Sequence, residues 1–246
     1  MDDAAIDEMS AFEDHHWWFV GKRLLVSALL GDRLDRPGLR ILDVGCGTGG
    51  VLAHLGAHAE TVGVDRSVQA LRHSARRGVQ SVACADMDRL PFAPGRFDLI
   101  LMLDVLEHFE DDTAVVAGAR ALLRPGGALL VSVPAFQALF SEHDRAVQHV
   151  RRYSAARLRQ VLEAGGFTVR RLTYTNVAAL PPAALVRGLL PRLGLARGGG
   201  TDFREHAPWV NRALVGLYRL EAAALRVVPR LPAGLSIAAI AEPAPA

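Results

Sequence analysis

The most constraining feature of the sequence is a glycine-rich turn that follows a short apolar run, within residues 41–50 (ILDVGCGTGG). The apolar part predicts a buried strand, and the turn predicts the start of a helix near Val51. Because Gly45, Gly47 and Gly49 have no Cβ, the backbone can bend tightly and a ligand can lie directly against the main chain. A nucleotide-like ligand is the expected occupant.

Two kinds of nucleotide fit such a turn. Gly45, Gly47 and Gly50 also satisfy the dinucleotide pattern G-x-G-x-x-G, and the acidic Asp65 follows at the end of the next predicted strand. This pattern favours an NAD(P)-dependent oxidoreductase. Asp43 argues against that interpretation, because its carboxylate would repel a pyrophosphate but could hold an ammonium group.

The run from Leu42 to Gly49 resembles the first motif of the class I S-adenosylmethionine (SAM) methyltransferases, and further matches follow in order over residues 40–134. The resemblance is to a methyltransferase type 11-like family. It implies an α/β fold with a Rossmann-like, seven-stranded, mostly parallel sheet, helices on both faces and an antiparallel last strand. It also implies SAM as cofactor and S-adenosyl-L-homocysteine as product. A non-catalytic SAM-binding partner protein stays open as an alternative.

The same resemblance implies roles for individual residues in the cofactor site. Asp65 would accept both ribose hydroxyls, Asp86 would accept from the adenine amino group, and Met87 would lie against the ring. The main chain near Leu103 would meet the cofactor's amino group, and Arg23 would meet its carboxylate. The complete predicted cofactor set is Arg23, Asp43, Gly45, Gly47, Gly49, Asp65, Arg66, Asp86, Met87, Leu103 and His108.

A metal site is an alternative use of the segment after the fourth predicted strand. Asp104, Glu107 and His108 resemble the residues that hold a divalent metal in a quinone-type O-methyltransferase subgroup, and oxygen and imidazole ligands suit such an ion. Many relatives carry the same residues without a metal. The prediction is therefore that no metal is bound.

A polar loop over residues 140–153 is predicted to face the acceptor, because it leaves the carboxyl edge of the sheet, where ligands of open α/β sheets bind. His143 or His149 is a candidate general base, and arginines could clamp an anionic group. Alternatively, Ser154 starts a helix and the residues before it only precede the cap or pack. The predicted substrate-side residues are Trp18, Asp144, Arg151, Arg152 and Tyr153.

The chain divides into four predicted parts. An N-terminal helical cap (1–35) carries an aromatic cluster that could fold over the cofactor as a lid. The SAM-binding core (36–176) is followed by an apolar and helical insertion on the substrate side (177–230). The final strand and a loose tail (231–246) complete the chain.

Charge is unevenly distributed along the chain. Residues 1–144 contain 13 Lys and Arg against 21 Asp and Glu, giving −8, whereas residues 145–246 contain 15 against 5, giving +10. The basic part favours an anionic substrate or surface; a solvated arginine face is the alternative. Residues 177–195 are apolar but interrupted by proline and arginine, which opposes a spanning helix and leaves a peripheral membrane contact open.

The composition and the N-terminal sequence bear on the location of the protein and on its class of ligand. The acidic N-terminus lacks a signal-peptide pattern and the two cysteines suggest neither a disulfide framework nor a zinc site, so a cytoplasmic location is expected. No nucleic-acid recognition module or basic run with interleaved aromatics is present in the sequence. The prediction is an enzyme that methylates a small-molecule or lipid- or sugar-linked acceptor, most favourably at oxygen. The oligomeric state stays open.

Overall fold

The computed structural model describes residues 3–86, 89–189 and 206–245. Apolar runs form the strands of one seven-stranded sheet, and the central strand is almost completely buried, with Ile41, Leu42 and Val44 each 0% exposed. The strands are β1 (Arg40–Val44), β2 (Glu60–Asp65), β3 (Ser81–Cys84), β4 (Phe97–Leu103), β5 (Leu123–Pro134), β6 (Phe167–Thr175) and β7 (Ser236–Pro243).

The strand order is β3-β2-β1-β4-β5-β7-β6. β1 to β5 pair in parallel, whereas β7 pairs antiparallel with both β5 and β6. The predicted Rossmann-like sheet with an antiparallel last strand is confirmed, and this last strand lies between β5 and β6. Because the chain runs outward from β1 to β3 and then returns to β4, the loop after β1 opens at the switch point of the sheet, where ligands of such folds bind.

Helices cover both faces of the sheet. α5 and α7 pack on one face, while α2 and α9 pack on the other. The helices are α1 (Asp3–Phe12), α2 (Trp17–Leu30), α3 (Gly50–Leu55), α4 (Val68–Arg76), α5 (Asp112–Leu122), α6 (Glu142–Ala146), α7 (Ala155–Ala164), α8 (Leu180–Ala183) and α9 (Pro208–Val227). A π-helical turn, Ala184–Leu189, continues α8, and short 3₁₀ turns occur at Gly31–Asp35, Leu106–His108 and Gln137–Leu139.

The C-terminal helix is part of the layer that covers the sheet. α9 packs along α2 through buried Tyr218, Ala222 and Leu225. The segment predicted as an insertion (177–230) therefore contributes to the core as well as to the cavity described below. The predicted glycine link at 198–200 lies outside the described residues.

None of the described helices is both long enough and apolar enough to span a bilayer.

The contact between α2 and α9 gives a stability prediction. A Cβ added at Gly21 would lie 2.6 Å from Cε1 of the Tyr218 ring, whereas a Cβ at Gly118 in α5 would meet nothing within 4 Å. We expect Gly21→Ala to lower the free energy of unfolding by about 1–3 kcal/mol, because overpacking outweighs the gain in helix propensity. Gly118→Ala, the matched control, should be neutral or stabilising by up to about 1 kcal/mol. Urea titrations measure both, and equal effects would contradict the tight packing at Gly21.

Candidate functional site

A cavity of about 730 Å³ lies at the carboxyl ends of β1, β2 and β4. Its volume falls in the range of small-molecule and cofactor sites. The wall combines the glycine turn, residues of the N-terminal cap, the loop after β4, the loop that contains α6, and the α8 segment. The sheet edge, the cap and the C-terminal part of the chain therefore meet at one site.

The glycine turn needs glycine for its backbone conformation. Gly45, Gly47 and Gly49 have φ angles of +77°, +53° and +85°, which other residues rarely adopt. The amides of Gly45 and Cys46 donate to the carbonyl of Val64 at 2.8 and 3.0 Å, so the turn is fixed to the end of β2. Gly45 and Gly47 line the cavity, whereas Gly49 lies behind them against Ser74.

Asp43 is a buried carboxylate at the end of β1. It lines the cavity, is 3% exposed, and its Oδ1 has no hydrogen-bond donor among the described residues. Burial raises the pKa of Asp43 to about 7, and the nearby Lys22 opposes this shift. Lys22 is itself bound to Asp104 at 2.7 Å. The free Asp43 oxygen therefore fits a cationic ligand group.

Asp65, at the end of β2, is held by two backbone amides. Its Oδ2 accepts from Gly47 at 2.9 Å and its Oδ1 from Ser67 at 2.8 Å. Each carboxylate oxygen has a second lone pair, so both can also accept from a ligand. Asp65 and the adjacent Arg66 line the cavity, and Arg66 donates to Gln148 at 3.0 Å.

Glu13, in the N-terminal cap, was not predicted from the sequence. Its Oε1 accepts from the Gly50 amide at 3.0 Å, and its Oε2 accepts from the Thr48 hydroxyl and lies 3.2 Å from Arg77 Nε. Glu13 thus binds the first turn of α3, where backbone amides and the helix dipole favour a carboxylate. The cap and the glycine turn are linked directly, and no sequence spacing indicates such a long-range pair.

The aromatic segment of the cap borders the cavity, and its role as a lid stays a prediction. Met9, Trp17 and Trp18 line the cavity. Arg23, predicted to meet the cofactor carboxylate, is placed differently: its guanidinium donates to the carbonyls of Glu13 and Asp14 at 2.7 and 3.1 Å, and it does not line the cavity. Its side chain stabilises the turn between α1 and α2.

The predicted adenine-side residues are not brought to the cavity. Asp86 is exposed and is not part of the cavity wall. Met87 lies outside the described residues. The predicted adenine contacts therefore gain no support from the described geometry.

His149 and Asp144 form a hydrogen-bonded pair beside the cavity. His149 Nδ1 lies 3.0 Å from Asp144 Oδ1, and Arg152 binds the same carboxylate through Nε at 2.9 Å and Nη2 at 3.0 Å. Burial disfavours ionisation of Asp144, but the bonds from His149 and Arg152 outweigh it and lower its pKa. An ionised carboxylate only accepts, so Nδ1 carries the proton and donates to Asp144.

A second buried acid lies next to this pair. Glu107 is 0% exposed and lines the cavity, and its Oε1 is 3.6 Å from His149 Nε2. Burial, together with the charge of Asp104, raises the pKa of Glu107 well above its ordinary value. Burial and the adjacent His149 lower the pKa of His108. Glu107 and His108 are therefore biased towards their uncharged forms.

The residues that could hold a metal in the structure differ from the set that the sequence motif indicates. Glu107, His108 and His149 each offer one ligand atom within 4.8 Å of the others. Asp104, the first residue of the sequence motif, is bound instead to Lys22. The motif residues alone do not form the described group.

Arg151 and Tyr153, predicted to contact the substrate, serve the fold instead. Asp112, buried at the start of α5, accepts from the Tyr153 hydroxyl at 2.9 Å and from Arg151 at 3.1 Å, and Arg157 also binds it. Neither Arg151 nor Tyr153 lines the cavity. Asp144 lies behind His149 rather than on the wall. In the alternative interpretation Arg151 and Arg152 precede the cap at Ser154 and Tyr153 packs; Tyr153 is buried, whereas Arg152 lines the cavity.

Most of the predicted residues nevertheless share one wall. Those that line the cavity are Trp18, Asp43, Gly45, Gly47, Asp65, Arg66, Leu103, His108, His143, His149 and Arg152.

Sheet order and site together define a class of protein. A glycine turn at the switch point of this sheet, with a buried acid before it and an acid at the end of β2, defines the Rossmann-like fold of the SAM-dependent methyltransferases. A family profile described as a methyltransferase domain matches residues 19–172, more than half of the chain. The chain belongs to this family of class I methyltransferases, whose cofactor is SAM. The NAD(P)-dependent alternative is set aside.

Individual relatives agree with this membership. The chain is 32% identical to the ubiquinone biosynthesis O-methyltransferase of Xanthomonas euvesicatoria pv. vesicatoria over 143 residues, 52% of this chain and 59% of the relative. The corresponding enzyme of Xylella fastidiosa is 34% identical over 143 residues, 52% of this chain and 57% of the relative. The chain therefore spans less than three fifths of the length of these relatives.

Solved structures show the same fold. A methyltransferase-like chain of Haloferax volcanii, in complex with the Trm112 methyltransferase activator, superposes with a TM-score of 0.62 at 19% identity, over 99% of this chain and 96% of that one. A SAM-dependent methyltransferase of Archaeoglobus fulgidus gives 0.56 at 19% identity, over 89% and 93%. At these identities the likeness concerns the fold alone.

The bond between cap and glycine turn gives the next prediction. Glu13→Ala should lower the free energy of unfolding by about 2 kcal/mol, because it removes the acceptor of the Gly50 amide at the start of α3 and leaves Arg77 without this partner. It should also weaken binding of S-adenosyl-L-homocysteine, measured by calorimetry, because the turn loses its support. The matched control is Glu8→Ala, which changes an exposed acid of α1. Equal stability and affinity in both variants would contradict the role of Glu13.

Proposed function

We propose that the protein transfers the methyl group of SAM to an oxygen of a small-molecule or lipid- or sugar-linked acceptor. The observation that carries this proposal is that the Asp144–His149 pair opens on the same cavity as the glycine turn. A cofactor cradle and a candidate proton acceptor therefore share one enclosed space. The O-methyltransferase relatives support oxygen as the atom methylated.

The proposed cofactor site uses three features of the wall. Asp43 would hold the ammonium group through its free oxygen, Asp65 would accept from the ribose hydroxyls, and the main chain near Leu103 would contact the cofactor's amino group. The bare backbone at Gly45 and Gly47 leaves room for close approach. The bound cofactor supplies a methyl group on a sulfonium sulfur, which leaves as a neutral thioether.

His149 is the proposed proton acceptor for the acceptor hydroxyl. Since Nδ1 donates to Asp144, Nε2 carries the lone pair and can accept a proton. An ionised Glu107 at 3.6 Å would hold a proton on Nε2, but burial raises the pKa of Glu107 and so opposes its ionisation. When His149 accepts a proton, the charge of Asp144 stabilises the imidazolium. His143, also on the wall, is the second candidate.

The remaining wall favours an acceptor with an apolar body. Trp18, Ala179, Pro182 and Val186 line the acceptor side of the cavity, and Arg187 adds a cationic group. Apolar walls bury hydrocarbon, while a few polar groups orient the ligand. A phenol or a similar hydroxyl compound with a hydrocarbon chain fits this combination, and a lipid-linked acceptor would require contact with a membrane surface.

The proton-acceptor role gives a kinetic prediction. With a panel of phenols and catechols that carry short or long alkyl chains, His149→Gln should reduce kcat by about 10²–10⁴-fold at neutral pH, because proton transfer to a positioned base contributes that factor. The loss should shrink as the pH approaches the pKa of the phenol, since a phenolate needs no base. Release of S-adenosyl-L-homocysteine measures the rate.

The matched control is His58→Gln, which changes an exposed histidine after α3. An unchanged kcat in His149→Gln would mean that His149 is not the general base. Either His143 would then accept the proton, or the reaction would need no base. Tight binding of S-adenosyl-L-homocysteine without transfer to any hydroxyl compound would favour the non-catalytic alternative.

Asp43 predicts a pH dependence of cofactor binding. With a pKa of about 7, Asp43 is protonated at lower pH and ionised at higher pH. Only the ionised form attracts an ammonium group, so the Kd for S-adenosyl-L-homocysteine should rise about tenfold for each pH unit below 7 and level off above it. Asp43→Asn should bind more weakly with a flat profile in calorimetry, whereas exposed Asp35→Asn should keep the wild-type profile. A flat wild-type profile would contradict this role.

A further inference from the structure

The outward face of α9 carries large apolar side chains in contact with solvent. Trp209, Leu220 and Val227 are 69%, 69% and 82% exposed. Their spacings of eleven and seven residues return to the same side of an α-helix, so they form one row, with Leu217 beside it at 46% exposure. Four large exposed hydrophobic residues on one helix exceed the scattered pattern of an ordinary solvated surface.

A row of arginines runs beside the apolar row. Arg212, Arg219 and Arg226 are exposed and follow one another at seven-residue intervals, which places them along one flank of α9. The only acid in the helix, Glu221, is buried and accepts from the amides of Asn176 and Val177 at 2.7 and 3.0 Å. The outward face of α9 therefore combines apolar and positive groups without a negative one.

This face lies close to the cavity. His206, three residues before Trp209, lines the cavity, and so does Val186, which is 54% exposed and therefore lies at the mouth. The adjacent Leu185 is 48% exposed. Val186 and His206, which precedes the start of α9, therefore border the same cavity.

We propose that the outward face of α9, with Leu185 and Val186, binds the surface of an anionic lipid bilayer. An apolar row flanked by arginines is the pattern of helices that lie in the membrane interface, with the apolar side chains among the acyl chains and the arginines at the headgroups. A second copy of this chain is a poorer occupant, because the matching arginine rows would repel. This membrane contact would bring the enzyme to a lipid-linked acceptor, and in that respect it rests on the proposed function.

The test is co-sedimentation of the full chain with vesicles of phosphatidylcholine alone or of an equimolar mixture with phosphatidylglycerol. We expect binding to the anionic vesicles, falling with salt, and little binding to the neutral ones. The combined change Arg212→Glu, Arg219→Glu and Arg226→Glu should reduce the partition coefficient by at least about a hundredfold, because each arginine near an anionic surface contributes about fivefold.

Two controls make the result specific to this face. Exchanging the exposed Arg36, Arg89 and Arg96 of the acidic half for glutamate changes the net charge equally and should leave most of the binding. A blue shift of tryptophan emission on anionic vesicles should disappear in Trp209→Phe, because Trp17 and Trp18 lie in the cavity wall.

Equal loss of binding in the two triple variants, equal binding to both kinds of vesicle, or no binding would overturn the proposal. So would a concentration-dependent dimer that Leu220→Asn disperses, since a second copy would then occupy the face. Vesicle binding does not depend on methyl transfer. The membrane proposal can therefore be tested whether or not the proposed activity is found. Turnover of a water-soluble acceptor, where present, should be unchanged by the α9 triple variant.

Discussion

The site depends on one electrostatic constraint, the burial of Asp43 at the end of the central strand. A carboxylate that is 3% exposed, with an oxygen lacking a donor, is costly unless a positive group approaches it. Lys22 lies near enough to oppose the pKa shift, but its hydrogen bond goes to Asp104. Lys22 is thus bound to Asp104, and the Oδ1 of Asp43 is left available to a ligand. The left-handed glycines expose the neighbouring backbone to the same ligand.

The loop before α7 is held by two separate hydrogen-bond networks. Two buried acids hold this loop by different residues: Asp112 binds Arg151 and Tyr153, while Asp144 binds Arg152 and His149. The first network ties the loop to α5. The second fixes the orientation of an imidazole on the cavity wall. Because Asp112 holds Arg151 and Tyr153, the carboxylate of Asp144 is left to bind Arg152 and His149.

Sequence reasoning succeeded where the physics is local. The glycine turn, the antiparallel last strand and the two strand-end acids follow from short motifs, because backbone conformation and strand position determine where those residues lie. Long side chains with several possible partners are harder to place from the sequence. Arg23 and Arg151 were predicted to reach ligands, yet backbone carbonyls and Asp112 lie closer to them in the fold.

The contacts of Glu13 could not be predicted from the sequence either. Thirty-five residues separate it from Thr48, and only the packing of α1 beside α4 brings them together. That contact makes the cap part of the cofactor turn, and α9, packed along α2, connects the cap to the C-terminal part of the chain. The acidic half supplies the carboxylates that suit a cationic cofactor, and the basic half supplies the arginines on the outer face. The charge asymmetry along the chain therefore places the carboxylates of the cavity and the arginines on the outer face of α9 in different halves of the sequence.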